Sequence, residues 1–446
     1  MVGLYLLCAG LLGGGGLYFP AQELFLELLF AGVVLFCLWS RRAAGVAAPD
    51  ARLVYFIAGL VLVIPVLQLV PLPPDVWQSL PGREDALAAL RLVDEGDSWR
   101  PISLVPDRTL ACLLALIPPV GLLILTSHLD LKERRQIIYA SVVLAVLTTA
   151  MGAAQLLAAG GSLTFYTPYY SGWITGFQAG RNGTADVLLI GLIAVGALTR
   201  LALIGKIGES RSGQSAVPAL TLGASLAALL SAAVVMTGSR AGVTHLALAI
   251  LAWIVMFSIE PKGTVRLGRP SIAVAGLCGV ILAGVTFLTF AGGSALGRIG
   301  QRFAVLENNR ADVWELAIRA WHAHWPVGIG RGGYIDAVLP LEPLESVGIN
   351  WPNRAHGEYI EMGIEAGLAA YVALAAGLIS IAALSVRTWR AETSREARIQ
   401  LVFAAAVLVL LGIHSAFDYP LRSLSLACFA GAICGLLTAA PRREPQ

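Results

Sequence analysis

The sequence predicts an all-α integral membrane protein with about 12 transmembrane helices and one long outer loop carrying a surface helix. Three observations carry that expectation. The 446 residues are 57% hydrophobic with a mean hydropathy of +0.75. Only 13% are charged, roughly half of what soluble domains carry. The third is an uneven spread of lysine and arginine between the two sides of the apolar runs.

A span needs about 20 apolar residues. Candidate runs lie at 2–19, 22–40, 52–70, 109–127, 137–159, 184–203, 217–236, 242–259, 271–292, 359–384, 399–417 and 423–440. The first two are separated only by Pro20 and Ala21, so they form a tight hairpin or a re-entrant pair. Met1 to Phe19 has no basic start and reads as a first span rather than a cleaved leader. The six cysteines all fall inside apolar runs without paired or metal-type spacing, which predicts neither disulfides nor zinc.

With the N-terminus inside, the three lysines (Lys132, Lys206, Lys262) and most loop arginines fall on the cytoplasmic side. The short loops of the other side hold only Arg181, Arg240 and Arg422. That asymmetry places residues 71–108, the turn at 237–241, the long loop 291–358 and the turn 418–422 together on the outer face, the periplasm in a bacterium. It also divides the chain into helices over 1–290, the long loop 291–358, and closing helices with a cytoplasmic tail over 359–446. The basic residues lie in short loops rather than along one face, so the net charge of +3 does not point to nucleic acid.

Arginine at a helix end is costly near lipid, so the three outer exceptions need a reason. Snorkelling to lipid phosphates is the ordinary one. Arg240 stands in TGSRAG, a turn of small residues that leaves a guanidinium accessible. In the 71–108 loop, Trp77 reads as an interfacial anchor, and Asp94, Glu95 and Asp97 read as a solvated loop tip rather than a metal site. In the long loop, Ala311 to Trp325 has helical spacing, with Trp314, Ile318, Trp321 and Trp325 on one stripe. The following WPVGIGRGGY lacks the strand and GK[ST] ending of a phosphate loop, and reads as a flexible turn. His356 stands at the head of the tenth span among arginines, and imidazole titrates nearest working pH, which suits a general base. His322 and His324 read as structural. His414 and Asp418 are spaced either to form a supporting pair or simply to pack.

Taken in order, QLVPLPPDVW, GRNGTAD, TGSRAG, RADVWELAIRAWHAHWPVGIGRGGY, AHGEYIEMGIEAG and HSAFDYPLR resemble the O-antigen ligase and O-antigen polymerase superfamily, which includes bacterial exopolysaccharide polymerases. The texts run from Gln68 to Arg422. Gly357 stands where many relatives have asparagine. The resemblance implies a GT-C-like glycosyltransferase of the bacterial inner membrane, acting at its periplasmic face on an undecaprenyl-diphosphate-linked glycan, with a glycan or lipid A–core acceptor. Carried over by position, Arg240 and Arg310 would hold the diphosphate and His356 would activate the acceptor. Arg181, Arg331, Arg354, Asp418 and Arg422 form a second rank of substrate-binding candidates. Paired guanidiniums suit phosphate oxygens and can take a metal's role, so neither metal nor other cofactor is expected. HSAFDYPLR is closer to the polymerases than to the ligases. A lipid-linked glycan flippase is the competing class, but transporters place charges at the midplane, and here the polar residues collect at one face.

Overall fold

The computed structural model describes residues 1–15, 19–40, 50–158, 163–166, 170, 172–208, 216–259, 310–345, 347–348 and 352–441. The chain opens with α1 (Val2–Leu12), α2 (Pro20–Trp39) and α3 (Ala51–Gln68). A loop follows, holding β1 (Pro71–Leu72), α4 (Pro74–Gln78), α5 (Glu84–Arg91) and β2 (Arg100–Pro101). Next come α6 (Pro106–Ala115), α7 (Ile117–Ser127), α8 (Leu131–Leu157), α9 (Arg181–Gly208), α10 (Val217–Met236) and α11 (Arg240–Ser258). After the 260–309 stretch come α12 (Arg310–His324), α13 (Tyr334–Val338), α14 (Glu358–Ala391), α15 (Arg395–His414) and α16 (Leu424–Gly435).

Among the described residues, nine helical segments are long and apolar enough to cross a membrane, α6 and α7 counting as one. The expected run at 271–292 lies outside the described residues. Two expected spans are corrected. The runs 2–19 and 423–440 hold helices of only 11 and 12 residues. An 11-residue helix covers about 16 Å, half of a hydrocarbon core of about 30 Å. Hydropathy alone does not see why: α1 stops at a run of glycines, where the Gly13 amide closes back on the Ala9 carbonyl. Helix α9 is the centre of the bundle, with 78% of its apolar window buried against 11% for α2 at the edge. It packs on α8, α10, α11 and α15.

At the end of the bundle where α8 finishes, the segment before α9 turns down into the protein. Ile174 rests against Gly152, and Gly176, at φ +54, lies against Thr148. The Gln155 amide clamps this dip, accepting from the Gly176 amide at 2.8 Å and donating to its carbonyl at 2.9 Å. The start of α16 and the end of α1 meet just beneath: the Ser425 amide donates to the Gly13 carbonyl at 3.1 Å, and Gln178 donates to the Gly10 carbonyl at 3.3 Å.

The 71–108 loop is an ordered cap. Its two-residue strands pair Pro71 with Pro101 and Leu72 with Arg100. Trp77 is not an interfacial anchor; it is 3% exposed and donates its indole proton to the Pro101 carbonyl at 2.9 Å. Position in sequence cannot tell a buried tryptophan from an interfacial one. Arg83 is buried and donates to the carbonyls of Ile102 at 2.6 Å and Gly328 at 3.2 Å, tying this loop to the segment after α12. Burial holds its guanidinium down to about 10. The acidic tip is solvated as expected, with Glu95 paired to Arg100 at 3.1 Å.

Helix α12 forms, but its buried face is rotated from the expected stripe. Leu316, Ala317, Ala320 and His324 are buried, whereas Ile318 and Trp325 are exposed. The helix docks on the first half of α14 and on the 329–338 segment, so small residues take the contact that the large ones were expected to make. His324 is structural. Burial first, and then the positive charge of Arg83, hold its imidazole down to about 4. Unfolded histidine takes up a proton near 6.5, so the unfolded chain binds more protons between those values and stability falls as pH drops from 6.5 towards 4. The loss is expected to reach roughly 3 kcal/mol and to vanish above pH 6.5. Thermal unfolding at pH 7.5 and 4.5 checks this: His324→Gln should lose less between the two than wild type, and equal losses would refute it.

Helix α14 is broken at Gly367, whose φ of 56° and ψ of −139° fit only glycine; a Cβ there would lie 1.9 Å from the Pro326 carbonyl oxygen. The break frees helix carbonyls, and buried carbonyls need partners. Ile329 and Gly330 donate their amides to Ile364 and Glu365 at 3.0 and 2.9 Å, and Leu368 donates to Pro326 at 2.9 Å. Gln68 adds a bond to the Glu365 carbonyl at 2.8 Å. The glycine-rich text is therefore not a flexible turn. It is an extended splint along the break.

Candidate active site

Four segments converge at this end of the bundle: the start of α9, the turn into α11, the link into α14, and the turn between α15 and α16. Asn182 of α9 donates its side-chain amide to Asp418 and accepts from the Ser239 hydroxyl at 2.7 Å. Ser239 in turn caps α11, accepting from the Gly242 amide at 3.0 Å. The α14 link is fastened to the last turn by the Glu358 amide, which donates to the Ser415 carbonyl at 2.8 Å. The Glu358 carboxylate accepts from the Ser415 hydroxyl and the Leu421 amide, both at 2.8 Å.

His356 sits in the middle. Its φ is +49°, a conformation that costs a non-glycine residue energy and that gathers at functional sites. The neighbours impose it: the Ala355 amide donates to Glu361 at 2.9 Å, and the Trp314 indole donates to the Ala355 carbonyl at 2.8 Å. The ring is 34% exposed, with Nδ1 3.4 Å from Asp418 Oδ1. With Nδ1 protonated towards Asp418, Nε2 carries the lone pair, the arrangement a general base requires. Burial pushes the Asp418 carboxyl up, but the bond and charge of His356, the charge of His414 and the bond from Asn182 outweigh it, so the group lies below the ordinary carboxylate range.

Behind Asp418 lies a buried row. His414 Nε2 is 3.9 Å from Asp418 Oδ2, and His414 Nδ1 is 2.7 Å from both carboxylate oxygens of Asp186. His245 stacks edge-on against His414, with ring centroids 5.2 Å apart. The donor atoms of Asp186, His245 and His414 lie within 4.8 Å of one another, so the trio could close on a metal ion. As placed, the two nearest donors bond each other. The expected His414–Asp418 pair is thus present but loose, and the close partner of His414 is Asp186. Asp186 closes the text GRNGTAD, but no role was read for it there, although an acid at the edge of the apolar text VLLIG is the kind of residue that marks function in a span.

A second layer lies beside His356. Arg422 binds Glu365 through two bonds, at 3.0 and 2.8 Å, and reaches Glu361 at 3.3 Å. Arg331 pairs with Glu365 and Arg354 with Glu361, each at 3.2 Å. Burial alone would pull the Arg422 guanidinium down; Glu365 and Glu361 drive it well above its ordinary value instead. Arg354 also lies over the Tyr419 ring, 5.8 Å from its centroid, and Tyr419 stacks near His356 at 5.4 Å. Glu361 and Glu365 were not weighed in the sequence as partners of these arginines. They sit on one face of α14, four residues apart.

The structure therefore joins His356, Asp418, Arg331, Arg354 and Arg422 in one connected site. Arg240 adjoins it as the first residue of α11, next to Ser239. It is half-buried, and among the described residues it has no carboxylate partner. Arg181 precedes Asn182, and its guanidinium covers the rings of Tyr170 at 4.9 Å and Trp173 at 5.2 Å. Arg310 is the first residue of α12, one turn before Trp314.

A multi-helix bundle thus carries, at one end, a partly open histidine with a carboxylate behind it and arginines around it. The O-antigen ligase family model matches residues 225–375, from α10 through His356 into the second half of α14. Over that stretch the chain is similar to the O-antigen ligase family, which supports a membrane protein of O-antigen ligase or polymerase type. Asp186 and the 414–422 turn lie outside the matched stretch. None of the curated proteins matches the chain.

Proposed function

We propose that this protein transfers a glycan from an undecaprenyl-diphosphate-linked donor to an acceptor sugar hydroxyl at the periplasmic face of the bacterial inner membrane. The observation that carries the reading is His356: exposed, held at positive φ, and backed by Asp418. The acceptor oxygen attacks the anomeric carbon as the carbon–oxygen bond to the diphosphate breaks, and the hydroxyl proton passes to His356 Nε2. Displacement from the opposite face inverts the anomeric centre. Arg240 and Arg310 hold the diphosphate and neutralise the charge it gains on leaving, which guanidinium does through paired hydrogen bonds without a metal. Arg331, Arg354 and Arg422 serve differently, because buried carboxylates occupy them; they fix the wall beside His356.

Polymerisation of lipid-linked repeat units is favoured over ligation of finished polymer to lipid A–core, on the resemblance of HSAFDYPLR to the polymerases. The test is transfer by purified protein in EDTA with a synthetic undecaprenyl-diphosphate oligosaccharide. A ladder from the donor alone is the expected result. A single shift of added lipid A–core would make the protein a ligase instead. No transfer with either acceptor would overturn the enzymatic reading in favour of transport.

A further inference from the structure

Four groups alternate along one line: His356, Asp418, His414 and Asp186. The spacings are 3.4, 3.9 and 2.7 Å, and exposure falls from 34% at His356 to 8%, 1% and 0% along the row. The family model does not cover the inner two, and the transfer chemistry does not touch them. An acid at zero exposure within an apolar helix is expensive and persists when another group depends on it. Asp186 takes both of its short contacts from one nitrogen, so it fixes the tautomer and ring plane of His414. That leaves the Nε2 edge of His414 facing Asp418 Oδ2. Asn182 holds the same oxygen of Asp418, which turns Oδ1 towards His356.

We propose that the His414–Asp186 pair is a positioning device for the reaction, locking Asp418 in the orientation that presents one oxygen to the base His356. The inference rests on the reading of His356 as the base. Its mechanical logic is that of an oriented base: a carboxylate that holds an imidazole does so only if its own rotation is stopped. Asp418 is held on one side by the hydrogen bond from Asn182 of α9 and walled on the other by the Nε2 edge of His414 of α15 at 3.9 Å, and Asp186 keeps that ring from turning away.

The experiment is steady-state glycan transfer from the undecaprenyl-diphosphate oligosaccharide by purified wild type, His356→Ala, His414→Asn, His414→Gln, Asp186→Asn and the Asp186→Asn/His414→Asn double variant. Thermal unfolding and metal content are measured on each. Asparagine at 414 can replace Nδ1 towards Asp186 but not Nε2 towards Asp418, whereas glutamine can reach Asp418. The expected result is a kcat lowered by about 10- to 100-fold in His414→Asn and Asp186→Asn, a fraction of what a positioned base supplies, with KM for the donor unchanged. The double variant should be no worse than the weaker single one, because the pair acts as a unit, and His414→Gln should recover part of the rate. Wild-type kcat in the His414 and Asp186 variants, with His356→Ala inactive, would overturn the inference alone. Wild-type activity in His356→Ala would show that the base reading had failed first. Losses that track the unfolding temperature would reduce the pair to a packing role and overturn it too. One equivalent of divalent metal in wild type, missing from the His414 variants, would make the row a metal site instead.

Discussion

Replacing His356 by asparagine should lower the rate of glycan transfer by about 10²–10⁴-fold, the usual worth of a positioned base, while donor affinity stays within a few-fold of wild type. Asparagine is the informative substitution because it tolerates the left-handed backbone found at φ +49°, so the chemistry is removed without adding strain. The split matters as much as the size. In the proposed reaction His356 serves the acceptor while Arg240 and Arg310 serve the donor, so a variant that loses kcat and keeps binding has lost a group used only in the transition state. A variant with equal losses in kcat and donor affinity would contradict the assignment. Single-turnover transfer together with equilibrium binding of the lipid-linked donor measures both quantities.

Glu365→Ala should unfold the part of the protein around α12 and the start of α14 long before it disturbs the rest of the bundle. The carboxylate is fully buried and holds two bonds from Arg422 and one ion pair from Arg331, and it also accepts the Gly332 amide at 3.0 Å. Removing one partner of a buried pair leaves a charge without compensation, at a cost of roughly 3–5 kcal/mol. Glu361, 3.3 Å from Arg422, offsets part of this. The double variant Glu365→Ala/Arg422→Met should recover much of the loss, since replacing both members by apolar groups is often neutral. Thermal unfolding in detergent, followed by tryptophan fluorescence, distinguishes the outcomes; the part around α12 holds Trp314, Trp321 and Trp325. If the double variant is as unstable as the single one, the network is not held by this pair.

Much of the bundle was legible because apolar length is a one-dimensional property, and nine runs became helices of spanning length among the described residues. What failed needed a third dimension. The short α1 and α16 looked like full spans because their flanking glycines and small residues score as apolar. Trp77 and the tryptophans of α12 have the same composition whether they face lipid or protein, and only packing against the 329–338 segment and α14 decides it. In the site, His356 and Asp418 were each recognisable from their local text, but their contact joins positions 62 residues apart. The pairing of the outer arginines with Glu361 and Glu365 was hidden for the opposite reason. Each arginine looked like an anion binder on its own, and only the inward face of α14 shows that three of them are already occupied.

The dipped segment before α9 changes what it means for this site to be at the membrane surface. Ile174 and Gly176 meet α8 five and nine residues before its last residue, Leu157, which is roughly 8–13 Å along a helix. The short α1 and α16 meet just below them. The segment that leads into Asn182 is therefore recessed below the end of α8 and floored by two half-length helices. Under the proposed reaction such a recess filters by reach: a sugar at the end of an extended chain arrives, whereas the same sugar on a bulky body is held off by the end of α8.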